Sequence, residues 1–223
     1  MKNTTRCVLL FARSPRQEAL AKGLGREAAL FEFARTRVAA AVASLDAVDL
    51  FVPGQSGRTF VERLTHAFRA ARALGYRQIV AVPTDAPALG AGELADAFDA
   101  LQSHEVVVGP SPDGGVYLIG MGGRNRDEDR LGEVRWLTST VAADLLRCFP
   151  AAAVLNRVIA DVDSRADLSR LGHDTALDPE LAALLFFLRA SSSTRSRETT
   201  IPPLNPPGRK SSGRAPPALL SLI

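Results

Sequence analysis

The chain has 223 residues, of which 46% are hydrophobic and 23% charged, a composition that excludes a fibrous or wholly disordered protein. Its formal net charge is +3, but residues 189–223 contain six Lys/Arg and one acid, so the preceding segment carries −2. Because the body of the chain is slightly acidic, the positive net charge of the whole chain is no evidence for nucleic-acid binding.

The cysteines and the apolar runs indicate in which cellular compartment the protein is located. Cys7 and Cys148 are the only cysteines, with no CxxC spacing, and we expect two buried free thiols of a reducing compartment. The first apolar run, Cys7–Ala12, is too short for a signal peptide, and no stretch approaches the length of a membrane span. The sequence therefore predicts a soluble, cytoplasmic protein without membrane contact.

Strand-like and helix-like segments alternate through the first 121 residues. Short apolar runs bounded by turn residues predict strands, and apolar residues at helical spacing predict the helices between them. The strands are Cys7–Ala12, Asp49–Pro53, Gln78–Pro83, Glu105–Gly109 and Val116–Met121, and the helices are Ala28–Leu45, Thr59–Leu74 and Gly92–Ser103. This alternation is typical of an α/β domain with a mainly parallel sheet.

The pattern weakens beyond Met121. Gly122–Arg130 is predicted to be a surface loop, Thr138–Cys148 a helix, and Asp178–Ala190 a last helix capped by its first residue. Residues 191–223 are rich in Ser, Pro, Arg and Gly and cannot bury enough apolar surface to fold. We therefore expect one domain over residues 1–190 and a disordered basic tail over 191–223, which we interpret as a solvated extension rather than a nucleic-acid tether.

The first candidate site residue is Asp85, in the run Pro83-Thr84-Asp85-Ala86-Pro87. It directly follows a predicted buried strand, and in open α/β sheets ligands lie at the carboxyl ends of the strands. A carboxylate there can hold a divalent cation on a nucleotide's phosphates. The alternative is that Asp85 only caps the next helix or turn.

The second candidate is the turn that contains Asp113, Gly114 and Gly115. Asp-Gly between two apolar runs is a hairpin signal and needs no further function. Two prolines before the glycines, however, give a loop that is rigid on one side and open on the other, which suits close approach of a ligand to the backbone.

The third candidate is the Asp161-Val162-Asp163 run. Its two acids alternate with apolar residues and therefore face the same side of an extended segment, where they could provide two oxygen ligands. The alternative is an exposed strand end followed by a helix that Ser164 caps, with Asp167 in its first turn.

Five runs resemble a known family when they are taken together. They are Phe11-Ala12-Arg13-Ser14-Pro15, Pro83-Thr84-Asp85-Ala86-Pro87-Ala88-Leu89, Gly109-Pro110 through Asp113-Gly114-Gly115-Val116-Tyr117-Leu118-Ile119-Gly120, Trp136-Leu137-Thr138-Ser139-Thr140 and Asp161-Val162-Asp163. In this order they resemble the DUF2064 group of the GT-A glycosyltransferase superfamily, some of whose members are described as arsenosugar-biosynthesis glycosyltransferases. The Asp-Gly-Gly block is the most specific of the five.

The resemblance implies a three-layer α/β/α fold of the nucleotide-diphospho-sugar transferase type, a nucleotide or nucleotide-sugar donor, and Mg²⁺ or Mn²⁺. By similarity to nucleotidyltransferases with a Thr-Asp-x-Pro-like turn, it implies that Asp85 is a metal ligand and catalytic residue. Asp163, and less directly Asp161, matches a later acidic ligand. For sugar transfer Asp113 would orient a substrate or act as a base. The residues assigned to donor binding are Arg13, Lys22, Thr84, Gly114 and Gly115.

One part of the family pattern is altered. Members usually carry Gly-x-Val-Lys-Thr-Arg-Leu in the loop after the first strand, whereas residues 16–25 keep only Lys22 and Leu24 of it. Either Arg13 and Lys22 neutralise the donor phosphates in a variant loop, or donor binding has drifted. The predicted function is a metal-dependent glycosyltransferase using a nucleotide sugar and an unknown small acceptor. The alternatives are a nucleotidyltransferase that releases pyrophosphate from an NTP, and a catalytically lapsed domain that acts as a binding module.

Two other motifs lack the context that their function needs. Gly23–Ala28 fits the spacing of a dinucleotide-binding GxGxxA, but it begins about ten residues after the strand ends rather than at the turn. The three histidines are scattered and there is no GxSxG, so hydrolysis by a Ser/His/Asp triad has no support.

Overall fold

The computed structural model, which describes residues 4–54, 56–123, 127–173 and 177–195, contains one six-stranded sheet within those ranges. Its strands are β1 (Arg6–Leu10), β2 (Val48–Phe51), β3 (Gln78–Val82), β4 (Val106–Pro110), β5 (Val116–Met121) and β6 (Ala153–Val154). They lie in the order β2-β1-β3-β5-β4-β6, and β5 is antiparallel to both of its neighbours while the other pairs are parallel. The predicted mainly parallel sheet is confirmed.

Helices cover both faces of this sheet. They are α1 (Pro15–Ala21), α2 (Ala28–Ser44), α3 (Phe60–Ala73), α4 (Ala91–Ser103), α5 (Val141–Cys148), α6 (Arg165–Leu171) and α7 (Pro179–Arg195). Side chains of α3 and α5 share one apolar core with one face of the sheet, and those of α2 and α4 share a second core with the opposite face. The result is the three-layer α/β/α architecture that the family resemblance implied.

A third apolar cluster lies beside these layers and joins α1, α2, α6 and α7. Val162 is fully buried in it, together with Phe31 of α2 and Leu181 of α7. The segment with the two aspartates is therefore anchored by the apolar residue between them.

Local signals explain where several helices begin. Thr59 caps α3 in a reciprocal box with Glu62, as Glu62 N donates to Thr59 Oγ1 at 3.2 Å. The predicted caps Ser164 and Asp178 accept hydrogen bonds from Asp167 N at 3.3 Å and Leu181 N at 3.1 Å. Each cap satisfies a backbone donor that the first helical turn leaves free.

The structure differs from the sequence prediction in its short elements and at the end of the last helix. Strand β6 has no counterpart among the predicted strands, and a 3₁₀ helix, Glu128–Glu133, begins inside the predicted Gly122–Arg130 loop. Residues 15–21 are interpreted from sequence as part of a loop but form α1. Ser14 and Gln17 form a capping box at its start, and the fixed φ of Pro15 suits the first helical position. The last helix runs to Arg195 rather than Ala190. The chain divides into two units after Leu188, and the second is described only as the end of α7, because residues 196–223 of the predicted tail lie outside the described residues.

Both cysteines are buried free thiols, as predicted. Burial raises the pKa of Cys7 to about 12, and it also raises the pKa of Cys148. Among the described helices, none combines the length and apolar character needed to cross a bilayer.

Candidate active site

A cleft of about 530 Å³ opens at the carboxyl edge of the sheet. It is lined by the segments after β1 and β3, by Lys22, by the first turns of α3, by the β4–β5 turn, by residues 136–139 and 141, and by residues 161 and 163. Because β5 is antiparallel, its beginning lies at the same edge as the ends of β3 and β4. This is the edge at which ligands bind in open α/β folds.

The two acidic segments of the sequence prediction meet in this cleft. Val162 N donates a hydrogen bond of 2.8 Å to Asp85 O, so the turn after β3 holds the later segment by its backbone. Val162 is buried, and Asp161 and Asp163 on either side of it both line the cleft together with Asp85.

Lys22 lies between two of these carboxylates. It follows the last turn of α1, and its Nζ is 2.5 Å from Asp85 Oδ2, in hydrogen-bonding contact with Asp163 Oδ1 and 3.7 Å from Glu18 Oε1. Burial alone would lower the pKa of Lys22, but the charge of Asp85 and the hydrogen bonds to both aspartates outweigh it and raise the pKa above its usual value. The ammonium therefore stays protonated and acts as the cation of this site.

Asp161 has no such partner. Within the described residues, its carboxylate accepts a hydrogen bond from its own backbone N–H and has no ion-pair partner. Burial raises its pKa to about 6, and the charges of Asp163, Asp113 and Asp85 add to the shift. Three other aspartates thus lie close enough to act on Asp161, and Lys22 pairs directly with only two of these three.

The donor set at this point fits a hard divalent cation in part. Asp85 and Asp163 each direct an oxygen at the position of Lys22 Nζ, and carboxylate oxygens are the ligands that Mg²⁺ prefers. Within the described residues, however, no three Asp, Glu, His or Cys side chains are arranged to hold a metal on their own. A cation here would need water or substrate phosphates as its other ligands, which is the usual arrangement for Mg²⁺ in phosphate-binding sites.

The alternative role for Asp85, as a helix cap, finds no support in the contacts. The helix that follows, α4, begins after Gly90, whose N–H is bonded to Glu93 Oε2 at 2.8 Å. The contacts of the Asp85 carboxylate go to Lys22 instead.

The Asp-Gly-Gly turn connects the antiparallel strands β4 and β5. It is therefore a hairpin turn, which is the simpler of the two hypotheses from the sequence. Asp113 is exposed at the cleft, and its Oδ1 accepts a hydrogen bond of 2.9 Å from Gly115 N. Gly114 has a φ of 87°, and a Cβ on it would lie 2.0 Å from Ser139 O. Its missing side chain is thus required for contact with the loop before α5 rather than for an open approach to the cleft.

Of the remaining predicted residues, Gly115, Arg13 and Thr84 line the cleft, whereas Gly114 is not among its lining residues. Arg13 is half exposed, with a nitrogen 3.8 Å from Glu18 Oε2. Thr84 is buried, and its Oγ1 has no hydrogen-bond partner in the described part of the chain. A buried hydroxyl without a partner, in a segment that lines a cleft, is available to a bound ligand.

The sequence interpretation missed the apolar side of the cleft. Phe11 and Phe60 meet edge to face with centroids 5.6 Å apart, and Phe60 lies 5.1 Å from Trp136. These aromatics come from the end of β1, the start of α3 and the loop before α5, so no local pattern connects them. Two of the three lie within or beside runs that carried the family resemblance.

A family model described as "uncharacterized protein conserved in bacteria (DUF2064)" matches residues 18–138, which is more than half of the chain. No protein of curated function matches this chain significantly.

Solved structures show the same fold. A protein from Desulfovibrio desulfuricans G20, provisionally described as a nucleotide-diphospho-sugar transferase, matches with a TM-score of 0.71 and 22% identity over 87% of this chain and 98% of that one. A homologue of Mycobacterium tuberculosis rv0371c from Mycobacterium sp. strain JC1 matches with a TM-score of 0.50 and 15% identity over 82% of this chain and 99% of that one. At these identities the likeness establishes the nucleotide-diphospho-sugar transferase type of fold and nothing about substrates.

Proposed function

This chain belongs to the DUF2064 family, and from its fold and its acidic cleft we propose that it is a metal-dependent transferase that takes a nucleotide-activated donor. The observation that carries the proposal is the convergence of Asp85 and Asp163 on one position at the carboxyl edge of the sheet. The donor we propose first is a nucleotide sugar, because the Desulfovibrio protein with this fold is described as a transferase of that class.

The proposed donor site uses the charges of the acidic half of the cleft. Asp85 and Asp163 would hold Mg²⁺ or Mn²⁺ and Asp161 would add a further carboxylate. When bound, the cation supplies positive charge that stabilises the leaving diphosphate.

For the cation to reach both carboxylates, Lys22 Nζ must leave the position between them. Lys22 can then contact a donor phosphate, since its long side chain starts at the end of α1 and its ammonium remains charged. Arg13 lines the same cleft and would supply a second positive charge. In this way the altered loop after β1 would keep its phosphate-binding role without the Lys-Thr-Arg sequence.

Asp113 is the proposed partner of the acceptor. It lines the cleft, and its carboxylate is exposed. In sugar transfer it would accept the proton of the attacking hydroxyl or orient it. Thr84, with its unpaired hydroxyl, and Gly115, which lines the cleft, would complete the donor side.

The experiment is a thermal-shift titration with NDP-sugars and NTPs, each with Mg²⁺, with Mn²⁺ and with EDTA, followed by product analysis. We expect an NDP-sugar to raise the Tm only with metal, and free NDP to be released when acceptors are added. An NTP that gives the shift and releases pyrophosphate would establish nucleotidyl transfer instead. Metal-dependent binding without turnover would favour the binding-module reading, and no shift with any nucleotide would refute the proposal.

A further inference from the structure

The cleft has two chemically different halves. The acidic half contains the aspartates and Lys22, whereas the other half is an aromatic wall, which we define as Phe11, Phe60, Trp136 and Leu137. The donor site proposed above needs only the acidic half. The wall is therefore a part of the cleft to which no ligand has been assigned.

The polar atom of the aromatic wall is already satisfied by the fold. Trp136 Nε1 donates a hydrogen bond of 2.7 Å to Leu131 O. Phe11 and Phe60 add no polar atoms, and the three rings pack on the core shared with α3 and α5. What the wall presents to the cleft is thus apolar surface on a rigid support.

Leu137 is the unusual member of the wall. Its φ is 61°, a left-handed conformation that costs a residue with a side chain free energy, and 82% of its surface is exposed. Burial in the core therefore does not offset the strain. Strained residues of this kind occur preferentially where a ligand is bound.

The loop that carries Leu137 is held from both ends. Arg135 forms a two-pronged ion pair with buried Asp144, at 2.8 and 3.0 Å, and Thr138 Oγ1 donates to Arg135 O at 2.7 Å. On the other side Ala142 N donates to Gly114 O at 3.0 Å. The wall is consequently preformed in the free protein.

We infer that the aromatic wall binds the apolar part of the acceptor, and that Leu137 determines which acceptors fit. The inference rests on the proposed function, which supplies the donor in the other half. Asp113 connects the two halves, because it lines the same cleft as Asp161 while its neighbour Gly114 contacts Ser139 of the Leu137 loop. An acceptor hydroxyl at Asp113 therefore places the rest of that molecule along the wall, and the substrate class is an alcohol with an alkyl or aryl group.

The fluorescence of Trp136 measures ligand binding at the aromatic wall directly, because Trp136 is the only tryptophan of the chain. The probes are ethanol, butanol, hexanol and benzyl alcohol, titrated without donor or metal while the Trp136 fluorescence is recorded. Each methylene should tighten binding about three- to fourfold, as expected for burial of apolar surface. Affinities that do not depend on chain length would overturn the inference.

Leu137→Ala should weaken hexanol binding about fivefold, since the probe loses apolar contact at the wall. The matched control is Leu74→Ala, because Leu74 is also exposed, at 63%, but lies outside the cleft, and it should leave hexanol binding unchanged. Leu137→Gly should lose hexanol affinity while its Tm stays equal to or above that of the wild type, because glycine relieves the strain. Equal effects of the Leu137 and Leu74 variants would contradict the assignment.

A nucleobase is the other flat apolar group that the wall could contact. Uridine, guanosine and adenosine are therefore titrated in the same way and as competitors of hexanol. Displacement of hexanol by a nucleoside would make the wall a base pocket and refute the acceptor assignment. Since no donor or metal is present, failure of the proposed function leaves this result intact, and a failed alcohol titration leaves metal-dependent donor binding intact.

Discussion

Lys22 Nζ lies 2.5 Å from Asp85 Oδ2, so the end of α1 is joined by an ion pair to the turn after β3. The Lys22 side chain is 11% exposed and that of Asp85 is 20% exposed, which places the pair well inside the cleft. A buried ion pair stabilises little in net terms, but the loss of one partner leaves an uncompensated charge.

Asp85→Asn keeps the size of the side chain and removes the charge that a divalent cation requires. We expect metal-dependent donor binding, measured by thermal shift, to weaken by at least about tenfold while the protein remains folded. Asp163→Asn should give a smaller loss, because 59% of the Asp163 side chain is exposed to water.

The control for the Asp85 variant is Asp99→Asn on α4, where an exposed carboxylate accepts a hydrogen bond from Gln102 and does not line the cleft. It should leave the metal-dependent shift unchanged. A silent Asp85→Asn beside a clear wild-type shift would remove Asp85 from the site.

Lys22→Met should make the protein more responsive to metal alone. Without the ammonium, Asp85 and Asp163 lose their internal cation, so Mg²⁺ without nucleotide should raise the Tm of the variant more than that of the wild type. Donor binding should weaken, because a phosphate contact is lost. Equal metal-only shifts in the two proteins would argue against a shared position for Lys22 and the cation.

Low pH should weaken the ion pair between Arg135 and Asp144, which anchors the loop before α5. The hydrogen bond from Arg135 is the main cause that lowers the pKa of Asp144 from its usual 3.8 to about 2. A carboxylate with a lowered folded-state pKa stabilises the protein above about pH 3.8 and loses that contribution as the pH falls toward 2.

We therefore expect Asp144→Asn to be clearly less stable than the wild type in urea unfolding at pH 7, and the difference to shrink by pH 3. Asp129→Asn is the matched control, because its pair with Arg69 is exposed and contributes little. A difference that is the same at both pH values would show that the charge of Asp144 is not what matters.

The position of the last helix predicts where truncation is tolerated. Leu181, Leu185 and Leu188 of α7 are buried in the third apolar cluster. Removing residues 196–223 should leave the Tm unchanged, whereas a chain ending at Leu177 should be strongly destabilised because it loses these three side chains. A marked fall in Tm on removing 196–223 would contradict the predicted domain boundary near residue 190.

Much of the fold was predictable because its signals are local. Thr59 and Ser164 mark helix starts through side-chain caps, and runs such as Val116–Met121 are read directly as buried strands. The two-residue strand β6 has no such local signal. Helix α1 was not predicted because it is short and because its residues were interpreted as a variant of the family's loop after the first strand.

The residues of the candidate site could be proposed from the sequence, but their contacts could not. Asp85 and Asp163 could be named from their runs, yet the ion pairs of Lys22 cross 63 and 141 residues of sequence. Likewise, the need for glycine at position 114 comes from Ser139, which no pattern around the turn reveals. Interactions between distant segments depend on the packed structure, and a single sequence does not encode them in any local spacing.

The state of the two cysteines has a practical consequence for chemical labelling. Maleimide dyes react with thiolates, and the buried Cys7 and Cys148 keep their protons because their pKa values are raised. A cysteine introduced at exposed Ser139, on the rim of the cleft, would be the one thiol open to the dye. A fluorophore can therefore be attached there without first replacing either native residue, and changes at the mouth of the cleft can be followed in an otherwise unaltered protein.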